Sequence, residues 1–357
     1  MKKFFLIFLF AVFIIGQVGC SNNNSNEFND WNYLENYDQP NSTSITWLLP
    51  TQDRYYYLTG SGLMYFSEKE NMYWFPLCGH AQCPHEDSNC SAFLGTTFLL
   101  GQYGEQLIYG TYPSVEDEYS VYRIYSMAMD GSEKKVLKEF SAADDISLSG
   151  GVHRGCAYYK IYHYLTNDLE IYRLDITEPD GEQELIYEGT GDAILNGIGT
   201  VMNMLVLDAD GTFLYQYDIT ARTVTPLETD AFFNVRAVRF CRDGSIMYAV
   251  GNEMHRLDPN SMEDSIIGRM DGETFFADDE LLYVHGKNET DGYAVSFDKT
   301  ASETDRIPFP CPEEKMKLST DSDYILLINT STELPKWYMK KSELLAGQGQ
   351  WYPIETG

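Results

Sequence analysis

A short motif that recurs at nearly constant spacing is the feature that most limits the folds open to this chain. Its clearest copies are Ile171–Asp175, Leu214–Asp218 and Met254–Asp258, each a strand-like segment that ends in Asp. Weaker copies end at positions 67, 128, 298 and 341. The seven end positions are separated by 61, 47, 43, 40, 40 and 43 residues. A nearly constant period of this size is typical of architectures in which one structural unit stacks on the next.

Each copy has the same neighbours along the chain. An apolar strand precedes it, as in Tyr55–Leu58 and Ile246–Tyr248, and a polar turn with another apolar strand follows it. With a strand leading in, such as Ile146–Val152, each unit contains four strands. One such sheet cannot bury both faces until neighbours stack on it, so the pattern predicts an all-β fold, a β-propeller of four-stranded blades. Seven copies predict seven blades, with six or eight as alternatives; an irregular pair of β-sandwiches gives no reason for this period.

The first twenty residues predict export. A basic start is followed by the apolar run Phe4–Ile15, which is too short for a comfortable membrane span. Residues 16–20, GQVGC, resemble the bacterial lipobox, although Gln17 stands where that motif usually has Leu. The resemblance implies that residues 1–19 are a lipoprotein signal peptide and that Cys20 is diacylated as a lipid anchor. The alternative is an ordinary signal peptide with an incidental cysteine.

The residues after the anchor favour a tether, and the charge of the chain restricts its partners. Residues 20–40 are rich in Ser, Asn, Asp and Glu, a composition typical of a solvated, disordered segment, so residues 41–357 are expected to form the propeller. Without Lys2 and Lys3, 54 acidic residues face 23 basic ones, a formal charge of −31. Such a surface repels nucleic acid and anionic headgroups. We therefore expect a monomer at the bacterial cell surface, attached to the membrane through its lipid only.

A cysteine-rich insert at residues 78–92 explains why the first spacing is long. Three thiols and one imidazole lie within thirteen residues, which is a tetrahedral zinc set in type and number: Cys78, Cys83, His85 and Cys90. Such a closed set predicts a structural zinc ion without an open catalytic position. The alternatives are no bond at all or a disulfide, which an oxidising exterior favours. The candidate pairings join Cys78 to Cys83 or Cys90, or join one of the three to Cys156, Cys241 or Cys311.

Two segments resemble a known group of proteins. The stretch Ile124–Leu137 resembles the blade motif of bacterial TolB-like propellers and of the propeller region, without an assigned function, of many clostridial lipoproteins. The stretch Pro76–Ala92 is similar to the C-x4-C-x-H-x4-C-x-A segment that follows the first blade in those lipoproteins. The resemblance implies a propeller fold and an anchored location, and it implies no activity.

The sequence contains no recognisable catalytic motif, such as a G-x-S-x-G elbow, an H-E-x-x-H pair or a phosphate-binding loop. The calcium-like segment Asp208–Gly211 is better interpreted as a hairpin turn. We therefore expect a non-catalytic binding or scaffold module for a protein, peptide or glycan, with loops such as Tyr112–Tyr119 available for contact. The alternative is an extracytoplasmic carbohydrate-active hydrolase or lyase, which needs buried carboxylates with raised pKa values at the propeller mouth.

Overall fold

The computed structural model describes most of the chain from Leu48 to Thr356. The described ranges are 48–80, 82–85, 89–113, 121–141, 145–178, 181–227, 235–241, 243–269, 274–277, 281–285, 292–296, 306–309, 312, 316–321, 323–329 and 334–356. The expected signal peptide, the anchor at Cys20 and the tether lie outside these ranges. Within them, no helix is long and apolar enough to span a membrane.

The regular structure is almost entirely antiparallel β, in meanders of four strands that follow one another along the chain. The first two meanders are β1 (Leu48–Pro50), β2 (Arg54–Leu58), β3 (Met64–Glu68) and β4 (Tyr73–Pro76), then β5 (Thr97–Tyr103), β6 (Gln106–Thr111), β7 (Val121–Ala128) and β8 (Lys135–Ser141). The next two are β9 (Ile146–His153), β10 (Cys156–His163), β11 (Asp168–Asp175) and β12 (Glu184–Thr190), then β13 (Asp192–Ile198), β14 (Val201–Asp208), β15 (Gly211–Asp218) and β16 (Thr223–Leu227).

The second half of the chain repeats the arrangement. Its meanders are β17 (Val235–Phe240), β18 (Ile246–Val250), β19 (Glu253–Asp258) and β20 (Glu263–Arg269), then β21 (Thr274–Ala277), β22 (Leu281–His285), β23 (Gly292–Ser296) and β24 (Ile307–Pro308). The last comprises β25 (Met316–Thr320), β26 (Tyr324–Asn329), β27 (Pro335–Lys340), the short helix α1 (Lys341–Leu345) and β28 (Tyr352–Pro353), and β29 (Glu355–Thr356) follows it.

Five of the sheets are separate and small, and they have the arrangement of propeller blades, which confirms the predicted all-β propeller. The sixth sheet has eight strands, because the meanders β5–β8 and β9–β12 are joined edge to edge. A single parallel residue pair, Leu99 with Gly150, makes that junction between the innermost strands β5 and β9.

The recurring motif forms the third strand of each meander, and the apolar segment before it forms the second. Thus Ile171–Asp175 lies in β11 and Met254–Asp258 in β19, each paired in register with the preceding strand. The motif's Asp then stabilises the turn that follows: Oδ1 of Asp175 accepts the backbone N–H of Thr177 at 3.0 Å. Oδ1 of Asp218 accepts that of Thr220 at 2.8 Å in the same way.

The core consists of clusters that each combine residues of two successive meanders. One further cluster joins the first meander to the last, with Tyr55 and Trp74 packed beside Leu326 and Ile328. Since every sheet face finds its apolar partner on a neighbour, burial closes the arrangement on itself.

The end of the chain returns to the first sheet. Strand β29 pairs in parallel with β4, Glu355 opposite Tyr73 and Thr356 opposite Trp74, and makes that sheet five-stranded. The preceding residue, Ile354, is buried in the cluster between the first and last meanders. The sequence predicts complete four-stranded units at both ends, which are present, but it gives no sign of this added strand.

Candidate functional site

The cysteine-rich insert runs from the end of β4 to the start of β5 and is fixed to the β2–β3 hairpin at both of its ends. The backbone N–H of Leu77 donates to the carbonyl of Met64 (2.9 Å), and the N–H of Met64 donates to the carbonyl of Ala92 (2.8 Å). The N–H of Leu94 donates to the carbonyl of Gly62 (2.8 Å). These bonds hold the two ends of the insert side by side on the hairpin, so the insert leaves the hairpin and returns to it at the same place.

Gly62 makes this close approach possible. It lies in the left-handed region, with φ +84°, and a Cβ at this position would be 2.6 Å from the carbonyl oxygen of Gly95. Because backbone stands in the way, no side-chain movement relieves that clash. The hairpin therefore needs glycine here in order to hold the insert.

The four predicted ligand residues meet at one place. Their ligand atoms, three Sγ and one imidazole nitrogen, all lie within 4.8 Å of one another. Cys90 is buried (3% exposed) in the core between the first two meanders, whereas Cys78, Cys83 and His85 are half-buried. Nδ1 of His85 lies 3.2 Å from Sγ of Cys90. The site is thus anchored to the core on one side and accessible on the other.

The set fits a tetrahedral metal ion. Zn–S bonds of about 2.3 Å place tetrahedral ligand atoms about 3.8 Å apart, which is compatible with the separations in this cluster. His85 has a left-handed backbone (φ +58°), which is uncommon for a residue with a side chain and is a conformation found at functional sites. This residue is therefore held by the loop in a conformation that directs its ring to the thiols.

The thiols of the cluster differ electrostatically. Burial raises the pKa of Cys90 to about 11. Burial also acts to raise the pKa of Cys78, but a hydrogen bond from the backbone of His80, together with contacts to the other thiols, lowers it below its ordinary value. Cys78 is accordingly the more readily ionised of the two.

Within the described ranges, Cys78, Cys83, Cys90 and Cys156 are free thiols. Cys156 and Cys241 belong to core clusters between other meanders, apart from the cluster that contains Cys90. They are therefore poor candidates for the long-range disulfides considered above. Cys311, the third candidate, lies outside the described residues.

Two histidines outside the cluster have structural partners, and the calcium-like segment forms a turn. The ring of His153 is fully buried, with Nε2 2.9 Å from the carbonyl oxygen of Gly199. Nδ1 of His255 lies 3.0 Å from Oδ2 of Asp264. The segment Asp208–Gly211 forms the predicted hairpin turn between β14 and β15.

A polar cavity of about 760 Å³ lies at the seam between the first and last meanders. Turns of both meanders line it: Gln52, Asp53, Glu68, Lys69, Glu70, Asp323, Tyr324, Lys340 and Ser342. Sequence reasoning missed this site because its residues come from opposite ends of the chain and share no motif.

One lining residue, Lys69, belongs to a buried charged group. Nζ of Lys69 lies 2.6 Å from Oδ2 of Asp321, and the hydroxyl of Tyr55 donates to the same oxygen at 2.6 Å. Oδ1 of Asp321 accepts the backbone N–H groups of Asp323 (2.9 Å) and Tyr324 (2.8 Å). Both carboxylate oxygens of Asp321 are thus engaged, whereas the charged lining residues Asp53, Glu70 and Lys340 are exposed.

No protein-family model matches the sequence, and no curated protein is significantly similar to it. Among solved structures, an oligogalacturonate lyase from Vibrio parahaemolyticus is similar with a TM-score of 0.53 and 11% identity, over 85% of this chain and 89% of that one. A structure from a study of two prolyl endopeptidases is similar with a TM-score of 0.56 and 13% identity. The match covers 90% of this chain and 50% of that one.

TolB from Acinetobacter baumannii is also similar, at 12% identity over 75% of this chain and 66% of that one, but its TM-score of 0.45 is too low to support an argument. The present chain spans about half the length of the prolyl endopeptidase structure. At these identities the likeness concerns the fold alone. The comparisons therefore support a β-propeller fold and no particular family.

Proposed function

We propose that this chain is a lipid-anchored β-propeller of the bacterial cell surface that binds a protein, peptide or glycan without catalysing a reaction on it. The anchor is Cys20, and residues 20–40 are the tether. The observation that carries the binding role is the polar cavity at the seam between the first and last meanders.

A count of seven blades follows if the eight-stranded sheet is taken as two blades. Only the pair Leu99 and Gly150 joins its halves, and the apolar faces of those halves pack against each other as the faces of separate sheets do elsewhere. The resulting seven meanders have seven intervening core clusters, which is the number a closed ring requires.

The size and lining of the cavity support binding of a hydrophilic ligand. Its volume falls within the roughly 300–1,000 Å³ range of small-ligand sites. The ring of Tyr324 offers a contact surface beside carboxylates, amide and hydroxyl groups that hydrogen-bond a peptide or a sugar. Because Lys69 is already paired with Asp321, little additional ordering of this side chain is needed when a ligand binds.

Three turn carboxylates are poor candidates for the acid that a glycosidase needs. Hydrogen bonds from Ser132 lower the pKa of Asp130, one from Thr190 lowers that of Asp208, and one from the backbone of Asn260 lowers that of Asp258. These carboxylates are fixed as anions that stabilise turns, whereas a glycosidic acid needs a raised pKa.

Binding can be tested on peptide and glycan arrays with the full chain. We expect a hydrophilic ligand that the double variant Asp53→Asn/Asp323→Asn binds at least tenfold more weakly, because two rim acceptors are replaced. Glu182→Gln, which changes an exposed carboxylate in a turn of another sheet, is the matched control. Cleavage of the ligand during the incubation, or binding that ignores the double variant, contradicts the proposal.

We further propose that Cys78, Cys83, His85 and Cys90 hold one structural zinc ion that ties the insert to the first two meanders. Metal analysis of the full chain is expected to give one zinc per molecule, and removal by a chelator to lower the thermal midpoint reversibly. Cys90→Ser should abolish loading, whereas Cys241→Ser, a change at a buried cysteine of another core cluster, should retain it. Absence of stoichiometric metal refutes this site.

The anchor is tested separately. Cys20→Ala should abolish labelling with radioactive palmitate and release the protein from the membrane fraction, because the thiol is the acylated group. Labelling that persists in this variant contradicts the assignment.

A further inference from the structure

We infer that Cys78 and Cys83 are an oxidisable dithiol pair, so that the insert exchanges its metal ion for a disulfide when it meets a disulfide oxidant. The exchange rests on the proposed metal site, but formation of the disulfide depends on the two thiols alone.

Accessibility selects this pair among the three thiols. Cys78 and Cys83 are half-buried and therefore more open to an oxidant than Cys90 is. Cys90 is 3% exposed and packs in the core beside the ring of His85. The core therefore shields Cys90 from an oxidant, and Cys78 and Cys83 should react first.

The loop geometry permits the bond. The sulfurs lie within 4.8 Å of each other and need to reach about 2.05 Å. The backbone between them already turns, because the N–H of Cys83 donates to the carbonyl of His80 at 3.1 Å. A Cβ built on Gly79 would meet no atom within 4 Å, so the backbone at this residue is not hemmed in by neighbours. To form the bond, the side chains of Cys78 and Cys83 rotate and the backbone that carries them shifts by a small distance.

The chemistry is thiol–disulfide exchange with a small external disulfide such as oxidised glutathione. The thiolate of Cys78 attacks one sulfur of the oxidant, forms a mixed disulfide and releases one thiolate. The thiolate of Cys83 then attacks Sγ of Cys78, forms the internal disulfide and releases the second thiolate. The protein pair loses two electrons, the external disulfide gains them, and the metal ion leaves because two of its four ligands are gone.

The rest of the insert does not depend on this pair. The backbone bonds from Met64 to Ala92 and from Leu94 to Gly62 lie outside the loop that the disulfide closes, and Cys90 stays in the core. Oxidation should therefore release the metal while the propeller remains folded, and reduction with added zinc should restore the site.

The full-length, zinc-loaded protein can be titrated with oxidised glutathione while a chromogenic chelator reports zinc and non-reducing peptide mapping reports disulfides. We expect one zinc released per 78–83 disulfide formed, an unchanged β-sheet circular dichroism spectrum, and recovery after dithiothreitol and zinc. Cys83→Ser should leave no internal disulfide within the insert, and Cys241→Ser should behave as the unaltered chain.

The outcomes separate the two proposals. Zinc bound at one per chain with Cys78 and Cys83 still open to alkylation after oxidation overturns the dithiol inference and leaves the metal site standing. A 78–83 disulfide in a protein that never held zinc refutes the metal site and supports the pair. A bond between Cys90 and either partner as the main product overturns the selection argued from burial.

Discussion

A single carboxylate, that of Asp321, ties the last meander to the first. It receives the ammonium of Lys69 and the hydroxyl of Tyr55 on one oxygen and two backbone N–H groups on the other. Lys69 and Asp321 are both more than nine-tenths buried. Removal of one charge from such a pair leaves the other charge buried without its counter-ion and without water to solvate it, which is destabilising. The two residues must therefore be considered together.

We predict that Asp321→Leu lowers the free energy of unfolding by about 3 kcal/mol or more, because the buried ammonium of Lys69 loses its ion pair with Asp321. The double variant Lys69→Met/Asp321→Leu should recover much of that loss, since no isolated charge remains. Urea denaturation of the four proteins of this cycle measures both values. Additive losses in the double variant would show that the two side chains act independently.

At the scale of elements, the last meander is joined to the first in two ways. Strand β29 pairs with β4 at the edge of the first sheet, and Ile354 packs in the core cluster between the two meanders. Two paired residues add little by themselves, but they fix the chain so that Ile354 is buried beside Trp74 and Leu326. The apolar contact, and not the short ladder, should carry most of the stabilisation.

We predict that Ile354→Ala costs about 2 kcal/mol of folding stability, as buried large-to-small changes do. The matched control is Leu345→Ala in α1, where the side chain is 49% exposed and should cost less than about 0.5 kcal/mol. Chemical denaturation compares the variants, and hydrogen exchange should show faster opening in β4 for Ile354→Ala. Equal losses in the two variants would mean that Ile354 is not part of the seam.

The strands of the repeat could be predicted from the sequence, because the second and third strands carry apolar runs and a turn aspartate, as at Leu214–Asp218. The meeting of Cys78, Cys83, His85 and Cys90 could be predicted as well, since all four fall within one loop. The joined edge at Leu99 and Gly150, the pairing of β29 and the contact of Lys69 with Asp321 could not. Each depends on which distant segments of the chain meet in space, and no local sequence pattern encodes such a contact.

At the scale of the whole molecule, the dominant property is an excess of negative charge, −29 for the full chain. Turn carboxylates with a lowered pKa, such as Asp130 and Asp258, contribute to this charge. So many like charges on one compact body repel one another, and this repulsion opposes folding until salt screens it.

We predict that the thermal midpoint rises by several degrees when sodium chloride is raised from about 0.01 M to about 0.15 M, because the Debye length falls from about 30 Å to about 8 Å. Sodium fluoride at equal ionic strength should give a similar rise, which separates screening from chloride binding. A midpoint that falls with added salt would show that attractive ion pairs outweigh the repulsion.

The pairing of the last strand with the first sheet sets the order of events during biosynthesis. Because synthesis runs from the N-terminus, the first meander keeps an open edge at β4 until residues 355 and 356 have been made, so this edge is covered late. A polypeptide that stops at residue 353 would lack both Ile354 and the strand after it. The edge of β4 and the apolar residues beside it would then stay accessible to proteases.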